Sequence, residues 1–90
     1  MTRVEIYTKS YCPYCARAKQ LLKTKGVSFE EFDVQFDEER LQEMLDRSGR
    51  RTVPQIFIDD HHVGGSDDLF KAQRSGQLDE LLYGRSRTAA

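Results

Sequence analysis

Residues 8–15 read Thr-Lys-Ser-Tyr-Cys-Pro-Tyr-Cys and contain both cysteines of the 90-residue chain. The stretch follows a short run of strand formers and precedes apolar residues at helical spacing, so we place it where a strand gives way to a helix. Cys12 then lies at the helix start, where unpaired N–H groups and the helix dipole favour a thiolate. Pro13 suits the first helical position. Cys15 returns to the same side of the helix one turn later, close enough to Cys12 for a disulfide.

This spacing indicates a redox-active pair. A ring closed between Cys12 and Cys15 is too small to add much chain-entropy stability, so its purpose is to form and open. The alternative is half of a zinc site, for which His61 and His62 are the available histidines. Zinc sites take their second ligand pair several residues apart, whereas adjacent residues of an extended strand point to opposite faces. We therefore expect no metal, with His61 at a hairpin tip and His62 in a strand.

The composition sets limits on size, partners and compartment. Ninety residues allow one domain, and 32% charged residues, 38% hydrophobic residues and a formal net charge of −1 are typical of a globular chain without a nucleic-acid partner. The first seven residues contain no long apolar run, so we expect neither a signal peptide nor a membrane span. A cytoplasmic location follows, and in a reducing compartment a CxxC pair is more often catalytic or metal-binding than a structural disulfide.

Hydrophobic periodicity and turn signals predict the order βαβαββα, followed by a last short helix that contains Leu78, Leu81 and Leu82. Asp37 is the expected N-cap of the second helix, and Gly49 follows its end. The aromatic and leucine side chains Phe29, Phe32, Phe57, Leu69 and Phe70 are predicted to be core. The predicted elements are β1 at 4–7, α1 at 15–25, β2 at 27–34 near a sheet edge, α2 at 38–48, β3 at 55–58, β4 at 62–63 and α3 at 67–75.

Three motifs in this order resemble a glutaredoxin of the small bacterial dithiol type. They are CPYC after β1, Thr52-Val53-Pro54 before β3, and Gly64-Gly65-Ser66-Asp67-Asp68-Leu69 before α3. The resemblance covers residues 1–83 as a single domain, and residues 84–90 are predicted to be a disordered tail. It implies a thioredoxin-like α/β fold with a four-stranded mixed sheet ordered β2-β1-β3-β4. It further implies α1 and α3 on one face, α2 on the other, a cis Val53-Pro54 peptide, and glutathione as the reductant.

The two cysteines receive different predicted roles. Cys12 is the nucleophile by position, because it lies at the exposed helix start while Cys15 lies one turn inside. A stabilised thiolate is also a good leaving group when a second thiol attacks its mixed disulfide. We therefore expect a glutathione-dependent oxidoreductase that reduces glutathione mixed disulfides through Cys12 alone. Protein disulfides would require Cys12 and Cys15 together, with Cys15 as the resolving thiol.

Glutathione is an extended tripeptide with two carboxylates and an ammonium group, and the motifs offer partners for each. Val53 is held extended before Pro54 and can pair its backbone with the cysteinyl unit. Lys9 and Arg51 are expected at the glycyl carboxylate. The N–H groups of Ser66 and Asp67 are expected at the γ-glutamyl carboxylate, and the Asp67 side chain at the ammonium. Each also has an ordinary role as a solvated cation or a helix cap. The full predicted set is Lys9, Cys12, Tyr14, Arg51, Thr52, Val53, Pro54, Gly65, Ser66 and Asp67.

The expected partners are glutathione and proteins that carry a glutathionyl group or a disulfide, with no membrane and a monomeric state. Three rival functions stay open. A thioredoxin-type reductant is disfavoured because tryptophan is absent and Pro-Tyr separates the cysteines in place of Gly-Pro. An iron–sulfur cluster carrier that uses Cys12 and glutathione would resemble relatives with Gly-Phe-Ser after the cysteine, from which Pro13-Tyr14-Cys15 departs. A non-enzymatic binding module has no specific support.

Overall fold

The structure is a computed structural model that describes residues 2–83, so the predicted tail at 84–90 lies outside the described residues. Within the described range, no helix is both long and apolar enough to cross a membrane. The elements in chain order are β1 (Val4–Thr8), α1 (Pro13–Thr24), β2 (Glu30–Asp33), α2 (Glu38–Ser48), β3 (Gln55–Ile58), β4 (His61–Gly64), α3 (Ser66–Ser75) and α4 (Gln77–Tyr83).

Strand β1 leads directly into the CxxC segment, which begins beyond the C-terminal end of the strand. All five of its residues are buried, because it is a central strand that pairs with β2 in parallel and with β3 in antiparallel orientation. Strand β2 is an edge strand, as predicted, but it is shorter than the predicted 27–34 because only residues 30–33 pair with β1. Phe29 and Phe32 pack against the two different cores on opposite faces of the sheet, so both are core residues as predicted.

The helix ends follow the predicted capping residues. Asp37 is the N-cap of α2, and its Oδ1 accepts a hydrogen bond from the backbone N–H of Arg40 at 3.1 Å. Gly49 ends α2 in the left-handed conformation, with φ of 71°, which glycine adopts without a steric penalty. Helix α1 begins at Pro13 with Cys12 as its N-cap, which confirms the predicted helix start two residues before the apolar spacing begins at Cys15.

The hairpin is tighter than predicted. Only Asp59 and Asp60 form the turn, both with positive φ, and β4 begins at His61. Two central residues with φ near 50° and 68° give the turn that matches the twist of paired strands, and Asp tolerates this region better than most residues. Consequently His61 is the first residue of β4 and His62 the second.

The sheet order β2-β1-β3-β4 and the cis Val53-Pro54 peptide confirm the expected thioredoxin-like arrangement. The sheet separates two apolar cores. One contains Ala18 and Leu22 of α1 with residues from α3 and α4, and the other contains Met44 of α2 with Tyr7 and Phe57. Helices α1 and α3 thus cover one face and α2 covers the other, and the CxxC segment lies at the start of α1 where the chain leaves β1.

Phe70 corrects one core prediction. Leu69 is fully buried, but Phe70 is half-buried, lies in neither core, and lines a surface groove with Arg17 and Leu21 of α1. Adjacent helical residues point about 100° apart, so one helix face cannot bury both side chains.

Candidate functional site

Cys12 lies at the exposed start of α1. It is the N-cap residue, with extended backbone angles of φ −106° and ψ 108°, and its side chain is partly exposed. Its Sγ accepts a hydrogen bond from the backbone N–H of Cys15 at 3.3 Å. The positive end of the helix dipole points toward the same sulfur. Cys12 is therefore held by the first turn of the helix and is open to a second molecule.

Cys15 is chemically different from its neighbour. It is only 2% exposed, and both cysteines are free thiols. Burial, reinforced by the hydrogen bond and the charge of Cys12, raises the pKa of the Cys15 thiol to about 12. Cys15 therefore stays protonated at neutral pH while Cys12 is the accessible sulfur. The predicted division into an exposed attacking thiol and an inner resolving thiol is consistent with this geometry.

Both cysteines line the same groove, which we call the cysteine groove. It has a volume of about 570 Å³ and is also lined by Lys9, Lys19 and Glu31. The Glu31 carboxylate accepts hydrogen bonds from Thr8 Oγ1 at 2.7 Å and from Lys19 Nζ at 3.0 Å. Burial alone would raise the pKa of Glu31. The hydrogen bonds from Thr8 and Lys19 outweigh burial and hold this pKa below its usual value. Lys19 and Glu31 therefore form an ion pair in the lining of the cysteine groove.

A second groove lies beside Tyr14 and contains most of the predicted glutathione residues. We call it the TVP groove, and its volume is about 340 Å³. Tyr14 stands 56% exposed at its wall, so its ring is available to a ligand. The predicted residues that line it are Tyr14, Thr52, Val53, Pro54, Gly65, Ser66 and Asp67. Lys9 and Cys12 instead line the cysteine groove.

Arg51 is not among the residues that line these two grooves, whereas its neighbour Arg50 is. Arg50 lines the TVP groove, and its Nη1 donates to Asp68 Oδ2 at 2.9 Å. The same Asp68 oxygen accepts from the backbone N–H of Gly65 at 2.9 Å. Both hydrogen bonds lower the pKa of Asp68, and the bond from Gly65 has the larger effect.

Arg50 and Asp68 are thus groove residues that sequence reasoning did not include in the predicted set. Asp68 is the third residue of α3, the position from which an acidic side chain reaches back to the N-cap, so the capping box is the signal for it. Arg50 and Arg51 are adjacent cations in an irregular segment, and no local pattern distinguishes their directions.

A buried hydrogen-bond chain supports the Thr52-Val53-Pro54 segment from below. The Gln55 side chain is fully buried, and its Nε2 donates to the Thr52 carbonyl at 3.0 Å and to Thr52 Oγ1 at 3.1 Å. Gln55 Oε1 and His62 Nε2 are 2.7 Å apart, so His62 donates through Nε2–H. Burial, aided by the Arg50 charge, lowers the pKa of His62 and keeps the ring neutral. His62 is therefore a structural donor, and within residues 2–83 no three Cys, His, Asp or Glu residues form a group suited to a metal ion.

Comparison with known proteins agrees with this geometry. The family model described as Glutaredoxin matches residues 4–63. Glutaredoxin 3 of Escherichia coli (strain K12) is 57% identical over 82 residues, which cover 91% of this chain and 99% of that protein.

Two solved structures extend the comparison to the fold. The solution structure of a glutaredoxin from Brucella melitensis has a TM-score of 0.81 and 54% identity, covering 93% of this chain and 91% of that chain. The crystal structure of a buckwheat glutaredoxin–glutathione complex also has a TM-score of 0.81, with 30% identity, covering 90% of this chain and 76% of that chain. With a family model over most of its length and a relative of nearly equal length at this identity, the chain belongs to the glutaredoxin family of glutathione-dependent disulfide oxidoreductases.

Proposed function

We propose that the protein reduces glutathione mixed disulfides by a monothiol route through Cys12, and protein disulfides by a dithiol route through Cys12 and Cys15. The observation that carries the proposal is the contrast between the two thiols. Cys12 is accessible at the start of α1, whereas Cys15 is 2% exposed and protonated beside it. One sulfur is open to intermolecular exchange, and the other reaches only a disulfide that already involves Cys12.

In the monothiol route, the Cys12 thiolate attacks the glutathionyl sulfur of the substrate. The substrate sulfur leaves as a thiolate and takes up a proton, and Cys12 now carries the glutathionyl group. A second glutathione, as its thiolate, attacks that glutathionyl sulfur and releases the Cys12 thiolate. The products are the reduced substrate thiol and glutathione disulfide, so the two electrons come from two glutathione molecules.

In the dithiol route, Cys12 attacks a protein disulfide and forms a mixed disulfide while the first substrate thiolate leaves. Cys15 then loses its proton and attacks the Cys12 sulfur, which releases the second substrate thiolate and closes the Cys12–Cys15 bond. Two glutathione molecules reduce this bond and become glutathione disulfide. Burial of Cys15 limits its thiolate fraction at neutral pH, so the rate of this closing step depends on how readily Cys15 loses its proton.

The proposed glutathione site is the TVP groove. Backbone groups of Val53 meet the cysteinyl unit, and the N–H groups of Ser66 and Asp67 at the start of α3 meet the γ-glutamyl carboxylate. Lys9 and Arg51 are the cations proposed for the glycyl carboxylate, and Arg50, paired with Asp68 near the start of α3, adds a cation to the TVP groove. The buckwheat relative described as a glutathione complex supports the assignment of glutathione as co-substrate. Reduction by glutathione also favours the cytoplasm as the compartment.

The test compares the wild type with Cys12→Ser and Cys15→Ser on two substrates. The first is the mixed disulfide of glutathione and 2-mercaptoethanol, and the second is a protein with one accessible disulfide. We expect Cys12→Ser to abolish both activities, and Cys15→Ser to keep the first and lose the second. Retention of the first activity by Cys12→Ser together with its loss in Cys15→Ser would reverse the assigned roles.

The reductant is tested separately. Each reaction is run with glutathione and then with an equal concentration of 2-mercaptoethanol alone. We expect wild-type turnover to require glutathione, and failure of glutathione to support turnover would reject the function. The rival function as an iron–sulfur carrier predicts visible absorbance after anaerobic reconstitution and a shift to a dimer, which the disulfide reductase does not require.

A further inference from the structure

The cysteine groove is larger than the TVP groove, and it contains Cys12 itself. Their volumes are about 570 Å³ and 340 Å³. A glutathionylated polypeptide brings two chains to Cys12 at once, because one disulfide joins glutathione to the polypeptide. With glutathione in the TVP groove, the polypeptide needs a second surface next to the same sulfur.

Two loops form such a surface. Strands β1 and β2 are parallel, and Thr8 pairs with Asp33 at their ends, so the following loops leave the same edge of the sheet. Ser10 N donates to Gln35 Oε1 at 3.1 Å and joins the two loops. Tyr11 in the first loop lines the cysteine groove, and Phe36 follows Gln35 in the second. We call Tyr11 and Phe36 the aromatic rim.

Both side chains of the aromatic rim are largely exposed to water. Tyr11 is 102% exposed and Phe36 is 81% exposed. Tyr11 also has a φ of 58°, in the left-handed region that bulky residues avoid. A bulky residue with an unfavourable backbone conformation and a ring exposed to water indicates a binding role. Exposed aromatic surface beside a groove is typical of a protein-binding site.

The two carboxylates that line the cysteine groove already have partners within the chain. Glu31 is neutralised by Lys19 at 3.0 Å and by Thr8, and Asp33 Oδ1 accepts from the Gln35 backbone N–H at 2.7 Å. The carboxylates of this wall are therefore engaged by groups of the same chain. The lining of the groove thus presents the Tyr11 ring to an incoming segment, and Phe36 lies exposed on the adjoining loop.

Resting on the proposed function, we infer that the aromatic rim and the cysteine groove bind the polypeptide that carries the target cysteine. The rim selects segments with apolar side chains next to that cysteine. Once Cys12 has taken the glutathionyl group, the polypeptide leaves as a thiolate and takes up a proton, so binding here adds no electrons to the reaction. The rim sets which proteins are reduced, whereas the TVP groove sets the reductant.

The test uses Phe36→Ser, because Phe36 lines neither groove. Three substrates are compared: a short peptide glutathionylated at a single central cysteine with Leu and Phe neighbours, the same peptide with Ser neighbours, and the mixed disulfide of glutathione and 2-mercaptoethanol. We expect the wild type to prefer the apolar peptide and Phe36→Ser to lower kcat/KM for it by about tenfold, the effect typical of truncating an aromatic anchor. The other two substrates should keep their wild-type kcat/KM.

A matched control removes aromatic surface elsewhere. Phe70→Ser truncates a half-buried ring that lines a different groove beside α1, and it should leave the peptide preference unchanged. A double variant with Tyr11→Ser should lower activity on the apolar peptide further. Equal activity of the wild type on both peptides, or an unchanged preference in Phe36→Ser, would overturn the inference. Loss of wild-type turnover on all three substrates would overturn the proposed function itself.

Discussion

At the scale of single residues, one helical turn gives the two cysteines opposite properties. Cys12 precedes the first helical residue and stays partly exposed, whereas Cys15 lies in the first turn of α1 and is buried. The raised pKa of Cys15, about 12, has burial as its largest cause and the neighbouring Cys12 as its next. The hydrogen bond and the charge interaction with Cys12 both weaken when Cys12 enters a mixed disulfide, because a disulfide sulfur is uncharged. The burial of Cys15 is unchanged, so Cys15 is still a protonated thiol before it attacks the mixed disulfide on Cys12.

We therefore predict a strong pH dependence for the dithiol route. The rate at which Cys15 releases the second substrate thiol should rise about tenfold per pH unit below its pKa, because only the thiolate attacks. Rapid mixing of the reduced protein with a disulfide peptide, followed by detection of the second thiol, measures this step. Cys15→Ser is the control and should release only the first thiol. A flat profile near neutral pH would mean that a nearby base takes the Cys15 proton.

Gln55 carries a second residue-scale prediction. Its buried side chain satisfies the Thr52 carbonyl and the His62 Nε2–H, and Gln55→Met would leave both without partners. Unsatisfied buried polar groups cost about 1–3 kcal/mol each, so we expect about 2–3 kcal/mol less stability in urea unfolding. We also expect a higher KM for glutathione at nearly constant kcat, because Thr52 adjoins Val53.

Gln42→Met is the matched control for Gln55. Gln42 is exposed and bonds only Asp46 on the surface of α2. Its loss should change stability by less than about 0.5 kcal/mol. Equal effects of the two substitutions would show that the buried chain below Thr52 is not important.

At the scale of elements, the junction of β4 and α3 fixes one wall of the TVP groove. Gly64 has a φ of 121°, and a Cβ built there would lie 2.3 Å from Asp68 Oδ2. The junction therefore needs glycine both for its backbone conformation and for the close approach of Asp68. That approach lets Asp68 hold Gly65 and Arg50 together.

We predict that Gly64→Ala costs about 3 kcal/mol of stability and raises the KM for glutathione, because strain and a steric clash add. Gly26→Ala is the control, since Gly26 also has a positive φ of 75° but has no atom within 4 Å of a Cβ. Its cost should be only about 1–2 kcal/mol, from the backbone alone. Urea unfolding of both variants separates the clash from the strain, and equal losses would contradict the close packing of Asp68.

At the scale of the whole molecule, Arg47 ties α2 to the sheet. Its guanidinium donates to Tyr7 OH at 2.8 Å, to Glu5 Oε1 at 3.1 Å and to Asp60 Oδ1 at 3.1 Å. The guanidinium carbon also lies 3.9 Å from the centroid of the Phe57 ring. Glu5 is 5% exposed, so its carboxylate depends on this partner and on Arg3 at 3.3 Å. One side chain thus joins a helix, two strands and the hairpin turn.

Arg47→Met should lower the free energy of unfolding by about 2–3 kcal/mol, somewhat less than for a fully buried pair because Arg3 still faces Glu5. Adding Glu5→Gln should recover part of this loss, since no buried charge is then left. Arg40→Met is the control: Arg40 stacks on Phe32 and pairs with Glu43 near the surface, so its loss should be below about 1 kcal/mol. A greater loss for Arg40→Met than for Arg47→Met would contradict this account.

Local patterns along the chain were enough to predict the order of the elements, the family and the reactive pair. Caps, glycines and apolar spacing act within a few residues, so Asp37, Gly49 and the order βαβαββα could be read locally. The placement of Cys12 at a helix start depends on Pro13 and the strand before it, which are also local. The motifs around residues 12, 53 and 66 then identified the glutaredoxin family.

Which side chains line each groove depends on the packing of distant segments in the folded chain. Arg50 rather than Arg51 faces the TVP groove, Phe70 turns away from the core, and Lys9 lies with the cysteines rather than with the other predicted glutathione residues. Each outcome depends on the direction of a side chain in an irregular segment or at the margin of a helix face, where no periodicity constrains it. The division into two grooves likewise comes from packing distant segments against α1, because spacing along the chain does not encode which segments become neighbours.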